Sequence, residues 1–524
     1  LNGLSIRPTS TRRALLATGL ALAAAAVACL PLSAGTGGEL LHIVVLHTND
    51  IHGQAQPRPA TWVDREVPPL VGGLPRVAAY VKRVRREAGE TGAGVLVVDG
   101  GDWFQGTPEG FVDDGRIFVN AYSKVGYDAV VVGNHELDLG ISALQEMIET
   151  YSVPALVANV FQSEGGDRVP WADPYRVIEV AGLRVGVVGL LTTTTPSITH
   201  PEASALYFED PATALAEVSA ELEGRVDWIL PVTHLGVPSD RRLAKAHPAL
   251  DVIVGGHSHT YLKQGVEQGE TFIVQAGSKA SAVGQLDLWF DEQTKELVKR
   301  EYKLVTLFAE PEDDDRNGAV DKICTALVAR SEREMAEPVG VLLEPLKRAF
   351  RRVHSSPAGN FITDTMRAAL EADVAIQNRG GIRCDLPKGE VTRRGLFELL
   401  PFGNHLVLLE LSGEDLFACV RASVEGTAHT GLEVSGATIV YEMREGQPFL
   451  VDLEVGGEHL DRKRTYRLCT NNFLAGGGDG YEVLKDQRVL REAPTFLRDV
   501  LERRFRSEGE IELPHDERYR EARP

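Results

Sequence analysis

Five apolar runs in this chain each end in side chains that bind metals, and no other feature restricts fold and chemistry as much. LLHIVVLHTND (40–50) leads to Asp50 and His52, GVLVVDGGD (94–102) to Asp102, and YDAVVVGNHE (127–136) to Asn134 and His135. VDWILPVTH (226–234) ends in His234, and LDVIVGGHSH (250–259) presents His257 and His259. Val, Ile and Leu without strict alternation mark strands buried on both faces, as in a parallel or mixed sheet. Ligands of such sheets gather beyond the carboxyl ends of the strands. Side chains more than 200 residues apart in sequence can therefore meet at one spot. Turns after strands also favour Asp, Asn and Gly for reasons unrelated to metals. Two comparable runs, ALVANVF (155–161) and LRVGVVGLL (183–191), end without such a cluster, so it is the recurrence that carries the argument.

The donor types then narrow the chemistry. Asp50, His52, Asp102, Asn134, His234, His257 and His259 offer hard oxygens and borderline nitrogens with no thiolate. That set suits manganese, zinc, cobalt or ferrous iron better than copper(I) or an iron–sulfur cluster. Seven donors exceed the needs of one tetrahedral ion, and two divalent ions sharing a carboxylate is the economical arrangement. A pair roughly 3.5–4 Å apart serves in-line phosphoryl hydrolysis. His135 follows Asn134 directly, and neighbours on a loop rarely serve one ion, so it reads as the residue that assists the chemistry. Asp138 is placed to orient that imidazole, or else to sit at the N-terminus of a helix starting near Gly140. Neither a G-x-S-x-G elbow nor a Gly-Lys-Ser/Thr phosphate loop occurs.

At 524 residues the chain exceeds one core, and two domains are expected. The acidic, Pro- and Gly-bearing stretch 309–318 reads as a linker, followed by a helix near 319–336 with Val320, Ile323, Leu327 and Met335 among charges. Beyond it Ile362, Met366 and Ala369 mark a helix face, 373–378 a short strand, and Ser412 with Asp415 a helix cap. The expected division is a targeting segment over 1–34, a metal domain over 40–308, a linker and connecting helix over 309–336, and a second domain over 337–510. In the targeting segment Arg12 and Arg13 precede the apolar stretch Ala14–Leu30. This predicts export, by a twin-arginine or general route, to the periplasm or the exterior. Cleavage after Ala26-Val27-Ala28 is one reading, and lipid modification of Cys29 the other. No later stretch is long enough to span a bilayer. Net charge of −20 argues against binding duplex nucleic acid. Cys324, Cys384, Cys419 and Cys469 form no C-x-x-C pair, and either one or two disulfides or four buried thiols fit.

Together these residues carry a resemblance. Asp50-x-His52, Gly101-Asp102 within GGDWFQGTP, Gly133-Asn134-His135-Glu136 and Gly256-His257-Ser258-His259 resemble the metallophosphoesterase signature in order and spacing. The GDWFQGTP and GNHELD forms are similar to those of the 5′-nucleotidase family, exported two-domain enzymes that hydrolyse nucleotides, UDP-sugars or cyclic nucleotides. Asn378-Arg379-Gly380-Gly381-Ile382-Arg383, Leu400-Pro401-Phe402-Gly403-Asn404 and Asn472-Phe473-Leu474-Ala475 with the glycines that follow resemble that family's C-terminal motifs. The resemblance spans about residues 40–500.

It implies an α/β fold: a four-layer sandwich of two sheets flanked by helices, plus a smaller α/β nucleotide-binding domain. It also implies one ion on Asp50, His52, Asp102 and His259, and a second on Asn134, His234 and His257, bridged by Asp102. His135 and Asp138 form the implied catalytic dyad. Phe402 and Phe473 stack on the base, while Asn378, Arg383 and Asp479 make polar contacts to the nucleotide. The implied reaction is hydrolysis of nucleoside 5′-monophosphates by in-line attack of hydroxide held by the ions. The same core serves a 2′,3′-cyclic-nucleotide phosphodiesterase, a UDP-sugar hydrolase or a sulfur-ester hydrolase, and an exported nucleotide-binding protein is the alternative outside enzymes. Three departures stand out: His259 where some relatives carry Gln or Asn, Arg379 where Gly is usual, and a 351–356 segment without the usual acidic residue. Arg379 is thus expected as a bulky cation beside the pocket, and Arg352 as a candidate phosphate or ribose contact. Hinge rotation near the 319–336 helix is expected to close the domains.

Overall fold

A computed structural model describes residues 40–522, apart from 61–62, 65–66, 309–317, 350–351 and 486. The expected targeting segment with Cys29, and the acidic linker up to Asn317, lie outside the described residues.

The ligand-tipped runs are strands, and they divide between two six-stranded sheets. In the first, Leu40–Thr48, Gly94–Asp99, Ala129–Val131 and Ala155–Leu156 run parallel, and Ala282–Asp291 and Leu297–Thr306 extend the sheet antiparallel. In the second, Leu183–Leu191, Trp228–His234, Val252–Val254 and Thr271–Val274 are parallel, edged by antiparallel Tyr175–Val180 and Val266–Gln268.

The absence of alternation in these runs now has a cause. Successive residues point to opposite faces, and both faces are covered. Ile43, Val45, Leu96, Val98 and Val131 meet Val185, Val187, Leu230, Val232 and Val254 between the sheets. Val44, Leu46, Val97 and Val130 face outward onto Leu74, Val77 and Val81 of the helix Leu74–Thr91. Val188, Leu190, Ile253 and Ile273 pack outward on Leu215, Val218 and Leu243 of the helices Pro211–Leu222 and Val237–Ala246. The result is helix, sheet, sheet, helix.

The helix Gly318–Met335 follows, but its apolar stripe of Val320, Cys324 and Leu327 is part of the first sheet's outer core. It is therefore packed on the first body rather than suspended between two. Next comes a five-stranded sheet ordered Leu432–Ser435, Val374–Asn378, Thr465–Asn471, His405–Ser412 and Arg488–Phe496. The helices Pro357–Ala369 and Leu497–Glu508 cover one face and Gly413–Glu425 the other. Ser412 caps the last of these, its Oγ accepting from Asp415 N at 3.1 Å. Ile362 and Met366 are buried as expected. Ala369 is exposed instead, because Leu370 closes the final turn and takes the buried position. The four cysteines among the described residues are free thiols; Cys324, Cys419 and Cys469 are buried and Cys384 half-buried.

At the seam Arg498 of the second body lies over three rings. Its Cζ is 4.5 Å from the Phe111 centroid, 4.8 Å from Phe397 and 4.9 Å from Phe496, and Phe111 comes from the first body. Burial among rings lowers the guanidinium pKa to about 10.

Candidate metal centre and substrate cleft

The seven donors expected from the sequence converge at the carboxyl ends of both sheets. Asp50, His52, Asp102 and His259 each bring one donor atom to within 4.8 Å of the others. His234 Nε2 lies 3.2 Å from Asp102 Oδ2, 3.2 Å from Asn134 Oδ1 and 3.2 Å from His257 Nδ1. Asp102 thus stands in both groups. Five of the seven, Asp50, His52, Asp102, His257 and His259, have φ between 50° and 74°. Left-handed backbone costs a side-chain-bearing residue roughly 1 kcal/mol, and here it turns each side chain back over the strand ends. Gly133 is required beside them, since a Cβ there would stand 2.2 Å from Asp102 Oδ1 and 2.5 Å from its backbone nitrogen.

The hydrogen bonds fix what the donors present. His52 Nδ1–H donates to Gln105 O at 2.7 Å, leaving the Nε2 lone pair toward His259 Nε2 at 2.9 Å and the Asp50 and Asp102 carboxylates. His234 Nδ1–H donates to Gly100 O at 2.6 Å, so its Nε2 lone pair faces Asp102 and Asn134. Asp50 Oδ1 is buried without an aligned donor. Lone pairs and anionic oxygens aimed at one another repel unless something positive lies between them. A divalent cation fits this set, and carbonyl partners that fix the ligand tautomers are the usual support of such sites. A proton is the alternative occupant. Burial lowers the His234 pKa, but Asp102 outweighs it and raises it to about 9. His52 and His257 are held at about 4, chiefly by burial.

His135 differs from the ligands in its partners. Its Nδ1 is 2.6 Å from Asp138 Oδ2, which leaves Nε2 for the cleft that the ring lines. Burial lowers its pKa, yet Asp138 and then Asp102 overcome that and raise it to about 10. Asp138 is therefore an orienting carboxylate here rather than a helix cap, and Thr199 Oγ1 donates to its other oxygen at 2.9 Å.

Some contributors were not singled out from sequence. The Glu136 carboxylate accepts from the backbone nitrogens of Asp102, Trp103 and Gly133 at 2.6–2.9 Å, tying two ligand turns together. It stands in the Gly133–Glu136 motif, but only the folded turns reveal its partners. Thr199, with Ile198 and His200, comes from an anonymous Thr-rich stretch that carries no sequence signal.

A cleft of ≈ 370 Å³ opens over Asp102, Asn134, His135, His257 and His259 and runs to the second body. There Asn378, Arg383, Phe402, Phe473 and Asp479 line it, all five expected. Asn378 Nδ2 and Thr430 Oγ1 both donate to Asp479 Oδ2, at 2.8 and 2.7 Å. Arg383 Cζ lies 5.8 Å from the Phe402 centroid. The Phe473 ring lies over Gly478, where a Cβ would stand 2.7 Å from ring carbons. The two halves of the cleft touch through Gln105, whose Nε2 donates to Pro401 O at 3.3 Å. Arg379 is not among the lining residues, although Asn378 and Gly380 on either side of it are, so the cation expected beside the pocket stands behind its wall. Arg352 is also absent from the lining, and its Nη1 donates to Ser423 O at 2.8 Å.

Comparison with known proteins agrees with this geometry. A family model described as calcineurin-like phosphoesterase matches residues 43–261, and one described as the 5′-nucleotidase C-terminal domain matches 336–486. The chain is 30% identical to the crystal structure of a 5′-nucleotidase precursor from Thermus thermophilus, with a TM-score of 0.70 over 92% of this chain and 99% of that one. It is 28% identical over 514 residues to the silent protein UshA(0) of Salmonella typhimurium, covering 88% of this chain and 90% of that protein. It is 26% identical over 529 residues to the 5′-nucleotidase of Vibrio cholerae, covering 90% and 92%. Fold and donor set together make the protein a metallophosphoesterase, a metal-dependent hydrolase of phosphate esters. Because the likeness runs through both bodies, the class narrows further: the chain belongs to the 5′-nucleotidase family.

Proposed function

We propose that this enzyme hydrolyses nucleoside 5′-monophosphates at a two-metal centre. The observation that carries the reading is that one cleft joins two donor groups sharing Asp102 to a wall bearing Phe402, Phe473 and Asp479. Asp50, His52, Asp102 and His259 would hold one divalent ion, and Asp102, Asn134, His234 and His257 the other; manganese, zinc and cobalt fit these donors. Such ions lower the pKa of a bound water and offset charge on phosphate oxygens.

The chain's own groups account for the remaining steps. Gln105 O and Gly100 O hold the two imidazoles in the ligating tautomer. Asp138 holds His135 through Nδ1, so that Nε2–H can be given to a phosphate or leaving oxygen. Phe402 and Phe473 supply π-faces that accept any base, and Asp479 has the acceptor oxygens a ribose diol needs. Thr199 and Glu136 keep the dyad and the ligand turns in place.

Export to the periplasm or exterior belongs to the same proposal, supported by the basic and apolar segment Arg12–Leu30. Among the described residues no helix is long and apolar enough to cross a membrane. The test is phosphate release from AMP, UDP-glucose and 2′,3′-cyclic AMP by protein reconstituted with each metal, with a chelator control. AMP should be the best substrate and chelation should abolish turnover; equal or better cleavage of the other two would overturn the substrate assignment.

A further inference from the structure

Arg379 is a large cation inside a glycine-rich turn, and its side chain points away from the cleft. The turn is tight at Gly381, where a Cβ would stand 2.4 Å from Gln377 Nε2 and 2.9 Å from Asn378 Oδ1. Such a segment is expensive to order, because glycine loses more backbone freedom than other residues. Yet it carries Asn378 and Arg383 to the cleft wall, and the Arg383 guanidinium folds back onto Gly380 O at 3.1 Å.

Arg379 gathers three segments around itself. Its Nε is 3.2 Å from Glu433 Oε1, the side chains being only 12% and 2% exposed. Its Nη2 donates to His354 O, and its Cζ lies 5.5 Å from the Tyr519 ring centroid. Each partner is fixed in turn. Glu433 stands opposite Gln377 in the sheet and accepts from Ser356 Oγ at 2.8 Å. Tyr519 OH donates to Leu432 O at 2.7 Å, and Arg518 N donates to Ser355 Oγ at 2.7 Å. The C-terminal stretch is thus a strap across the back of the turn. A buried carboxylate is tolerated when a cation pairs with it, and a planar guanidinium can do so while also lying on a ring.

We propose that Arg379 is a positioning residue for nucleotide recognition: clamped by Glu433 and Tyr519, it fixes the turn that presents Asn378 and Arg383. This rests on the reading of the cleft as a nucleotide site. Arg379 does not line the cleft and would act through its neighbours.

The test compares AMP with p-nitrophenyl phosphate, which has no base or ribose, using full-length metal-loaded protein. Removing Arg379 alone strands a buried Glu433, so Arg379→Ala is paired with the double variant Arg379→Ala/Glu433→Gln, and Arg379→Lys serves as the conservative change. For both alanine variants KM for AMP should rise ~10-fold or more with kcat within ~2-fold, while kcat/KM for the aryl ester changes less than ~2-fold. Arg379→Lys should recover part of the AMP affinity. If the double variant keeps a wild-type KM for AMP, or loses both substrates in parallel, the proposal fails. Wild-type protein that cleaves the aryl ester but not AMP would overturn the nucleotide reading, and this inference with it.

Discussion

The two walls of the cleft are built by opposite means. On one side, the seven candidate donors sit at the ends of strands buried on both faces, and five of them accept left-handed backbone. On the other, the proposed recognition residues sit on glycine-rich turns held by side-chain contacts such as the hydrogen bond of Asn378 to Asp479 and the ion pair of Arg379 with Glu433. Strand ends fix atoms to a fraction of an ångström, which metal chemistry demands. Turns clamped from behind would admit a range of bases and need only orient them. The first wall should therefore govern rate and the second affinity.

The most severe way to break that division is at the residue both donor groups share. Asp102→Ala should lower metal content at both sites, measured by elemental analysis, and reduce kcat by roughly three orders of magnitude or more. Retention of a full metal complement would refute the shared-ligand arrangement. His135→Ala comes next. It should keep the metals and still lose at least ~100-fold in kcat; near-normal turnover would remove the dyad from the mechanism. On the opposite wall, Phe473→Ala should raise KM for AMP ~10-fold through lost stacking, leaving the aryl ester untouched. A matching loss of kcat would blur the contrast between the walls. The smallest effect is expected from reductant. With the four described cysteines free, dithiothreitol should move the Tm by less than ~1 °C, whereas loss of a structural disulfide would cost several kcal/mol.

The first wall was largely legible in the sequence. A side chain at the end of an apolar run has one place to go, so the convergence of Asp50, Asp102, His234 and the rest could be read without a structure. What the runs could not say was which sheet each strand joins. Val and Ile on both faces leave no periodicity to tell Ile43, between the sheets, from Val44, under a helix. The second wall was legible through its motifs, but the destination of Arg379 was not. A long side chain can reach either way from a turn, and the buried Glu433 that decides it lies 54 residues on, in a strand with no marked motif. Glu136 and Thr199 escaped for a related reason: their value lies in backbone nitrogens and one carboxylate oxygen that only the folded turns bring near.

The rings around Arg498 bear on how the walls move against each other. A hydrogen bond ties one atom to another along a line and breaks when either swings aside. A cation over a π-face is held by a field that varies slowly with angle. Phe111 from one body and Phe397 and Phe496 from the other surround the same guanidinium, so the contact is expected to tolerate rotation better than separation. Pulling the bodies apart would lose all three faces at once, whereas a small rotation would change the energy little, which suits the entry and release of substrate proposed for this cleft.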